Sequence, residues 1–113
     1  MDFNEYQELA TRTASIPEDK QGTEYALMYF CLGLACETGE LIEKIKKVLR
    51  NDKGEITREK RELIKLEIGD VLWYLSQIAR TCDVPLNEAA KANIEKLADR
   101  HSRGVIKSEG DTR

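Results

Sequence analysis

Apolar residues recur along this chain at helical spacing. Phe3, Tyr6, Leu9 and Ala10 set the pattern over residues 3–14. Pro17 interrupts it within the segment IPEDKQG. Thr23 stands where a helix cap is expected, ahead of a stripe of Leu27, Phe30, Leu34, Leu41, Ile45 and Val48 that runs to about Arg50. Residues 51–55, NDKGE, read as a turn. Thr57 can cap a third helix reaching about Thr81, with Ile64, Ile68, Val71, Leu75 and Ile78 on one face. Pro85 suits the first turn of a fourth, which should stop near Gly104. No stretch alternates long enough to predict a strand. The expectation is an all-α fold of four helices with short connections, bundle-like and oligomerising through helix faces. One domain spans residues 1–104, and residues 105–113 form a tail without periodicity.

Acids interrupt the two long stripes in a matched way. Glu37 and Glu40 fall in the heptad step between Leu34 and Leu41, with Glu37 about 40° from Leu41. Glu67 lies four residues before Val71, and Asp70 one before. The phrases Glu37-Thr38-Gly39-Glu40-Leu41 and Glu67-Ile68-Gly69-Asp70-Val71 both read E-x-G-[ED]-apolar. Side chains at i and i+3 stand on adjacent turns of one face. Two antiparallel helices packed along their stripes would therefore aim four carboxylates at one spot. Glycine inside a helix costs about 1 kcal/mol, which argues that Gly39 and Gly69 let the helices approach. Four crowded carboxylates either rise in pKa or hold cations. An all-oxygen cluster suits Mg²⁺, with Mn²⁺ as a substitute. The bare spacing is common, as Glu5/Glu8 and Glu59/Glu62 illustrate; the shared glycine and the position at the core edge set the two pairs apart.

Composition narrows the classes. The chain has 113 residues, 41% of them apolar and 35% charged, with seven glycines and two prolines. That fits one helical domain rather than a β fold or a disordered chain. A net charge of −3 argues against general nucleic-acid binding. No apolar run approaches the roughly 18 residues of a membrane span, and the N-terminus carries no signal-peptide pattern, so no membrane partner and a cytoplasmic location are expected. Cys31, Cys36 and Cys82 make an odd set without CxxC and read as small buried helix residues. His101 follows no glutamate at the spacing of di-iron bundles, and no phosphate-binding G-x-x-x-x-G-K-[ST] loop is present.

The segments ACETGELIEKIKK and LEIGDVLWYL resemble the MazG-like nucleotide pyrophosphohydrolases, whose signature is E-x-x-E on one helix and E-x-x-D on the next. FNEYQELATRTA and RHSRGVIKSEGDTR are also similar to the small single-domain members found in bacteria and phages. The resemblance implies that Glu37, Glu40, Glu67 and Asp70 are the metal ligands and the catalytic set. It implies hydrolysis of a nucleoside triphosphate to the monophosphate and pyrophosphate. Many members carry a further glutamate before each motif, where this chain has Cys36 and Leu66.

Phosphates need donors. Asn93, Lys96 and Arg100 fall within about 60° of one another on the fourth helix. The resemblance supports Asn93 and Lys96 as substrate contacts; for Arg100 a solvated helix end competes. Tyr74, four residues past Asp70, can stack on base or sugar, whereas Trp73 points toward the core or an interface. Tyr6, Gln7, Tyr25 and Tyr29 are further candidates. Arg103, Lys107 and Arg113 could close over phosphates, and Lys44, Lys46 and Lys47 read as a solvated basic face. Leu32, Leu49, Leu63, Leu72 and Trp73 lie off the main stripes, a surplus that points to a homodimer or homotetramer. Phosphoribosyl-ATP and dUTP-type pyrophosphohydrolases, or a non-enzymatic helical interaction module with solvated acids, remain open at this point.

Overall fold

The computed structural model describes residues 1–107. Among them lie four α-helices: α1 (Phe3–Thr11), α2 (Glu24–Asn51), α3 (Arg58–Thr81) and α4 (Leu86–Ser102). A short 3-10 turn, Glu18–Lys20, stands between α1 and α2, and no strand is present among the described residues. The expected tail falls mostly outside the described residues; α4 ends at Ser102, and the Val105 amide donates back to the Arg100 carbonyl at 3.0 Å.

Capping follows the sequence in part. Asp2 accepts from the Glu5 amide while Glu5 accepts from the Asp2 amide, a reciprocal box that starts α1. Thr57 accepts from the Lys60 amide and starts α3. Thr23, expected to do the same for α2, instead donates its hydroxyl to the Lys20 carbonyl at 2.6 Å and leaves the helix without a side-chain cap. Between α2 and α3 the chain turns through Gly54, whose φ of 82° disfavours any other residue, and the Gly54 amide closes on the Val48 carbonyl.

α2 and α3 form a long antiparallel hairpin that dominates the packing; α1 lies mainly against α3, and α4 leans on α1 and α3. The N-terminus of α4 has no side-chain cap of its own, since Pro85 cannot supply one. Side chains of α1 cap it instead. Asn4 Oδ1 accepts from the Asn87 amide at 3.0 Å, and Gln7 Oε1 accepts from the Leu86 amide at 3.2 Å. Gln7 Nε2 donates to the carbonyls of Ser76 and Val84. Trp73 Nε1 donates to the Ala10 carbonyl and the Thr13 hydroxyl, tying the end of α1 to α3.

The single chain is not a closed bundle. Its radius of gyration is 17.0 Å, against roughly 13 Å for a compact domain of this length. Among the described residues the buried apolar side chains are Ala10, Ala26, Phe30 and Val48. The expected stripes are only partly covered: Ile45, Ile68 and Leu75 are exposed. On α3 the cause is the roll of the helix, which brings Glu67 and Tyr74 against α2 and lets Trp73 reach α1. The cysteine expectation fails for a related reason. Cys31 and Cys36 lie about 100° from Phe30 and Glu37, off the α2 face that meets α3, and Cys82 caps the end of α3, so all three are exposed. α2 is by length and composition apolar enough to cross a membrane, contrary to the expectation of no such run. Glu37 and Glu40 interrupt it midway, and Lys44 further on pairs with α3.

Candidate metal centre

The hairpin brings acids from both long helices together. One carboxylate oxygen from each of Glu37, Glu67 and Asp70 lies within 4.8 Å of the others. Glu37 is half-buried, Glu67 is 9% exposed, and Asp70 is open to solvent. Glu40, the fourth acid of the matched pairs, stays exposed on the next turn of α2 and stands outside this trio. Its charge still reaches the cluster. Partial burial, then Glu40, Asp70 and Glu67 in that order, hold the Glu37 carboxyl above its ordinary range.

One cation serves the cluster among the described residues. Lys44 Nζ lies 3.0 Å from Glu67 Oε1, bridging α2 to α3. This corrects the expectation of a solvated basic face for Lys44. Lys47 pairs with Glu43 at 3.3 Å, and Lys46 is exposed.

An aromatic layer stands beside the acids. Tyr74 packs edge-on to Phe30 and Trp73, and Phe30 packs against Trp73 and Tyr29. Burial, then the charges of Tyr29, Glu37, Cys36 and Asp70, raise the Tyr74 phenol above its ordinary range. Tyr6 of α1 also feels Asp70, after burial, and is raised likewise. Beyond Phe30, a cavity of ≈ 430 Å³ opens between α1, the segment before α2 and the facing helix ends. Thr11, Ala26, Phe30, Gln77, Arg80 and Asp83 are among the residues that line it. Phe30 precedes Glu37 by seven residues and Gln77 follows Asp70 by seven. Cavity and acids thus lie on the same α2–α3 seam, about 10 Å apart along the helices.

Gly33 is the glycine this arrangement requires. A Cβ there would come within 2.0 Å of the Tyr74 ring. A methyl group on Gly39 or Gly69 would have nothing within 4 Å in the single chain, so the close approach expected of these two is not made within it. A helix-interior glycine one turn before Glu37 was the available signal for Gly33.

The donors expected on α4 are placed differently from one another. Asn93 and Lys96 are exposed, whereas Arg100 is 3% exposed. The solvated helix end considered for Arg100 is therefore not what the structure has. His101 is exposed near the helix end. Arg103 pairs with Asp99 at 2.7 Å, Lys107 is exposed, and Arg113 lies outside the described residues.

Residues 28–105, which hold the entire acid cluster, match the MazG nucleotide pyrophosphohydrolase domain. The chain belongs to the MazG family. A relative from Mycobacterium phage L5, named Gene 37 protein, is 43% identical over 110 residues, 96% of each chain. No solved structure matches. Membership points to a nucleotide pyrophosphohydrolase, a hydrolase acting on acid anhydrides, in a soluble protein with a nucleotide substrate. MazG enzymes commonly use a divalent metal, and the trio of hard carboxylate oxygens fits that requirement.

Proposed function

We propose that this protein is a Mg²⁺-dependent nucleoside triphosphate pyrophosphohydrolase, cleaving a (d)NTP to the (d)NMP and pyrophosphate. The observation that carries the reading is the convergence of Glu37, Glu67 and Asp70 from two helices within a MazG domain. Glu37, Glu67 and Asp70 would hold the ion, and Glu40 would join them by a rotamer change from its exposed position. A bound Mg²⁺, or Mn²⁺ in its place, supplies charge to the triphosphate and acidifies a water for attack at the α-phosphorus.

The chain's own residues do the rest. One of the four carboxylates would accept a proton from the attacking water. Tyr74 offers its ring and hydroxyl to sugar or base, and the nucleoside end extends along the seam toward Phe30 and the cavity. Asn93, Lys96 and Arg100 are proposed to meet the phosphates.

We further propose that the working form is a homodimer or homotetramer. Exposed Leu32, Ile42, Leu49, Leu66 and Ile94, each at least 60% exposed, and the extended shape support a second copy completing the core. Control or house-cleaning of the nucleotide pool, in the cytoplasm, is the role this activity suits. The test is a panel of standard and modified triphosphates with Mg²⁺, quantifying monophosphate and pyrophosphate. The expected result is equal amounts of both, abolished by EDTA. Release of orthophosphate alone, or no turnover across the panel, refutes it.

A further inference from the structure

The acid cluster carries a cation of its own chain. The Lys44–Glu67 pair joins α2 to α3 at 3.0 Å, with the two side chains only 23% and 11% exposed. Lys44 lies seven residues past Glu37 and therefore on nearly the same face of α2, two turns on. It differs from its neighbours in this: Lys46 stays in water and Lys47 turns back to Glu43 on its own helix.

Three carboxylates within 4.8 Å repel one another, and Glu67 is the one most removed from water. The ammonium offsets part of that charge. A divalent ion between the same oxygens has to draw on Glu67 too, and one carboxylate cannot keep a 3.0 Å ammonium at full strength while it binds a dication.

We propose that Lys44 is a built-in counter-ion that holds Glu67 in the metal-free site and yields that carboxylate when a divalent ion binds. The inference rests on taking Glu37, Glu67 and Asp70 as metal ligands. It has two consequences of opposite sign. Without the ammonium, Glu67 is left uncompensated and the metal-free protein loses stability. Without the ammonium, the metal also loses its competitor and binds more tightly. A lysine that merely braces the hairpin gives the first effect without the second.

Lys44→Met keeps most of the aliphatic stem and removes the charge. Mn²⁺ binding is measured by calorimetry without nucleotide, alongside thermal melts in EDTA and in saturating Mn²⁺. The variant is expected to melt lower in EDTA, to bind Mn²⁺ roughly 5- to 20-fold more tightly, and to close the gap in melting temperature when Mn²⁺ is present. Equal or weaker Mn²⁺ binding by the folded variant overturns the proposal. Should the variant not fold, the wild-type protein decides. Acylation of Lys44, followed by mass spectrometry with exposed Lys91 as reference, is expected to accelerate when Mn²⁺ is added. Unchanged Lys44 reactivity on Mn²⁺ binding overturns it. Failure of wild-type protein to bind Mn²⁺ at all removes the metal-site reading itself, and this proposal with it.

Discussion

The two polar regions of this molecule are built on opposite principles. At the α1–α4 junction, neutral groups are matched: Asn4 and Gln7 cap α4, Gln7 also donates to two carbonyls, and Trp73 donates to α1. Along the α2–α3 seam, charges are gathered without balance, three carboxylates against one lysine. Matched neutral hydrogen bonds position elements at little electrostatic cost. Crowded like charges destabilise the protein that holds them unless a ligand is bound. The first region serves architecture, and the second is the one proposed to bind a ligand.

Substitutions in the two regions should therefore separate stability from activity. The largest effect is expected for Asp70→Ala: a fall in turnover of at least about 100-fold, with a metal-free melting temperature equal to or above wild type. Assay and melts in EDTA check both halves, and a variant that is both active and less stable breaks the contrast.

Gly33→Ala should come next. Its methyl group would meet the Tyr74 ring, which must shift, at about 1–3 kcal/mol. Gly69→Ala meets nothing in the single chain and should gain up to about 1 kcal/mol of helix stability. Denaturant unfolding of both variants tests the pair. Loss of stability in Gly69→Ala would instead mean that a second copy packs at that position.

Gln7→Ala should cost about 1–2 kcal/mol by leaving the Leu86 amide and two carbonyls without their partner. Mn²⁺ affinity should stay within about twofold, because the latch holds α4 and not the acids. Weakened metal binding in this variant would show that the regions are coupled.

The smallest effect is one of pH, with opposite signs in the two regions. Asp2 is held below its ordinary pKa, chiefly by the Glu5 amide. Its contribution is present above the unfolded pKa and lost as pH falls through the folded one. Glu37 is held above its ordinary pKa, chiefly by burial and then by Glu40, Asp70 and Glu67. Its contribution is present below the unfolded pKa and lost as pH rises through the folded one. Melts in EDTA across the acidic range should show Asp2→Asn flattening the low-pH loss and Glu37→Gln flattening the loss as pH rises.

The sequence was legible where the signal lies within one helix. Both long helices begin and end within a residue or two of the expected points, and the repeated E-x-G-[ED] phrase leads to Glu37, Glu67 and Asp70. It was illegible where the outcome depends on how a helix is rolled against its neighbour. Spacing gives angles around one axis but does not give the roll. The turn of α3 exposes Ile68 and Leu75, leaves Gly39 and Gly69 open, and puts Tyr74 on Gly33. Lys44 reads as solvent-facing for the same reason, since long basic side chains usually reach water and only its neighbour across the packing reveals otherwise; the burial of Arg100, a phosphate-contact candidate, is equally invisible from spacing.

The most direct measurement is a crystal of the protein soaked in Mn²⁺, with data collected for anomalous signal. A peak is expected between Glu37, Glu67 and Asp70, about 2.0–2.3 Å from their carboxylate oxygens. A well-ordered crystal with those three side chains in place and no peak among them would contradict the metal centre.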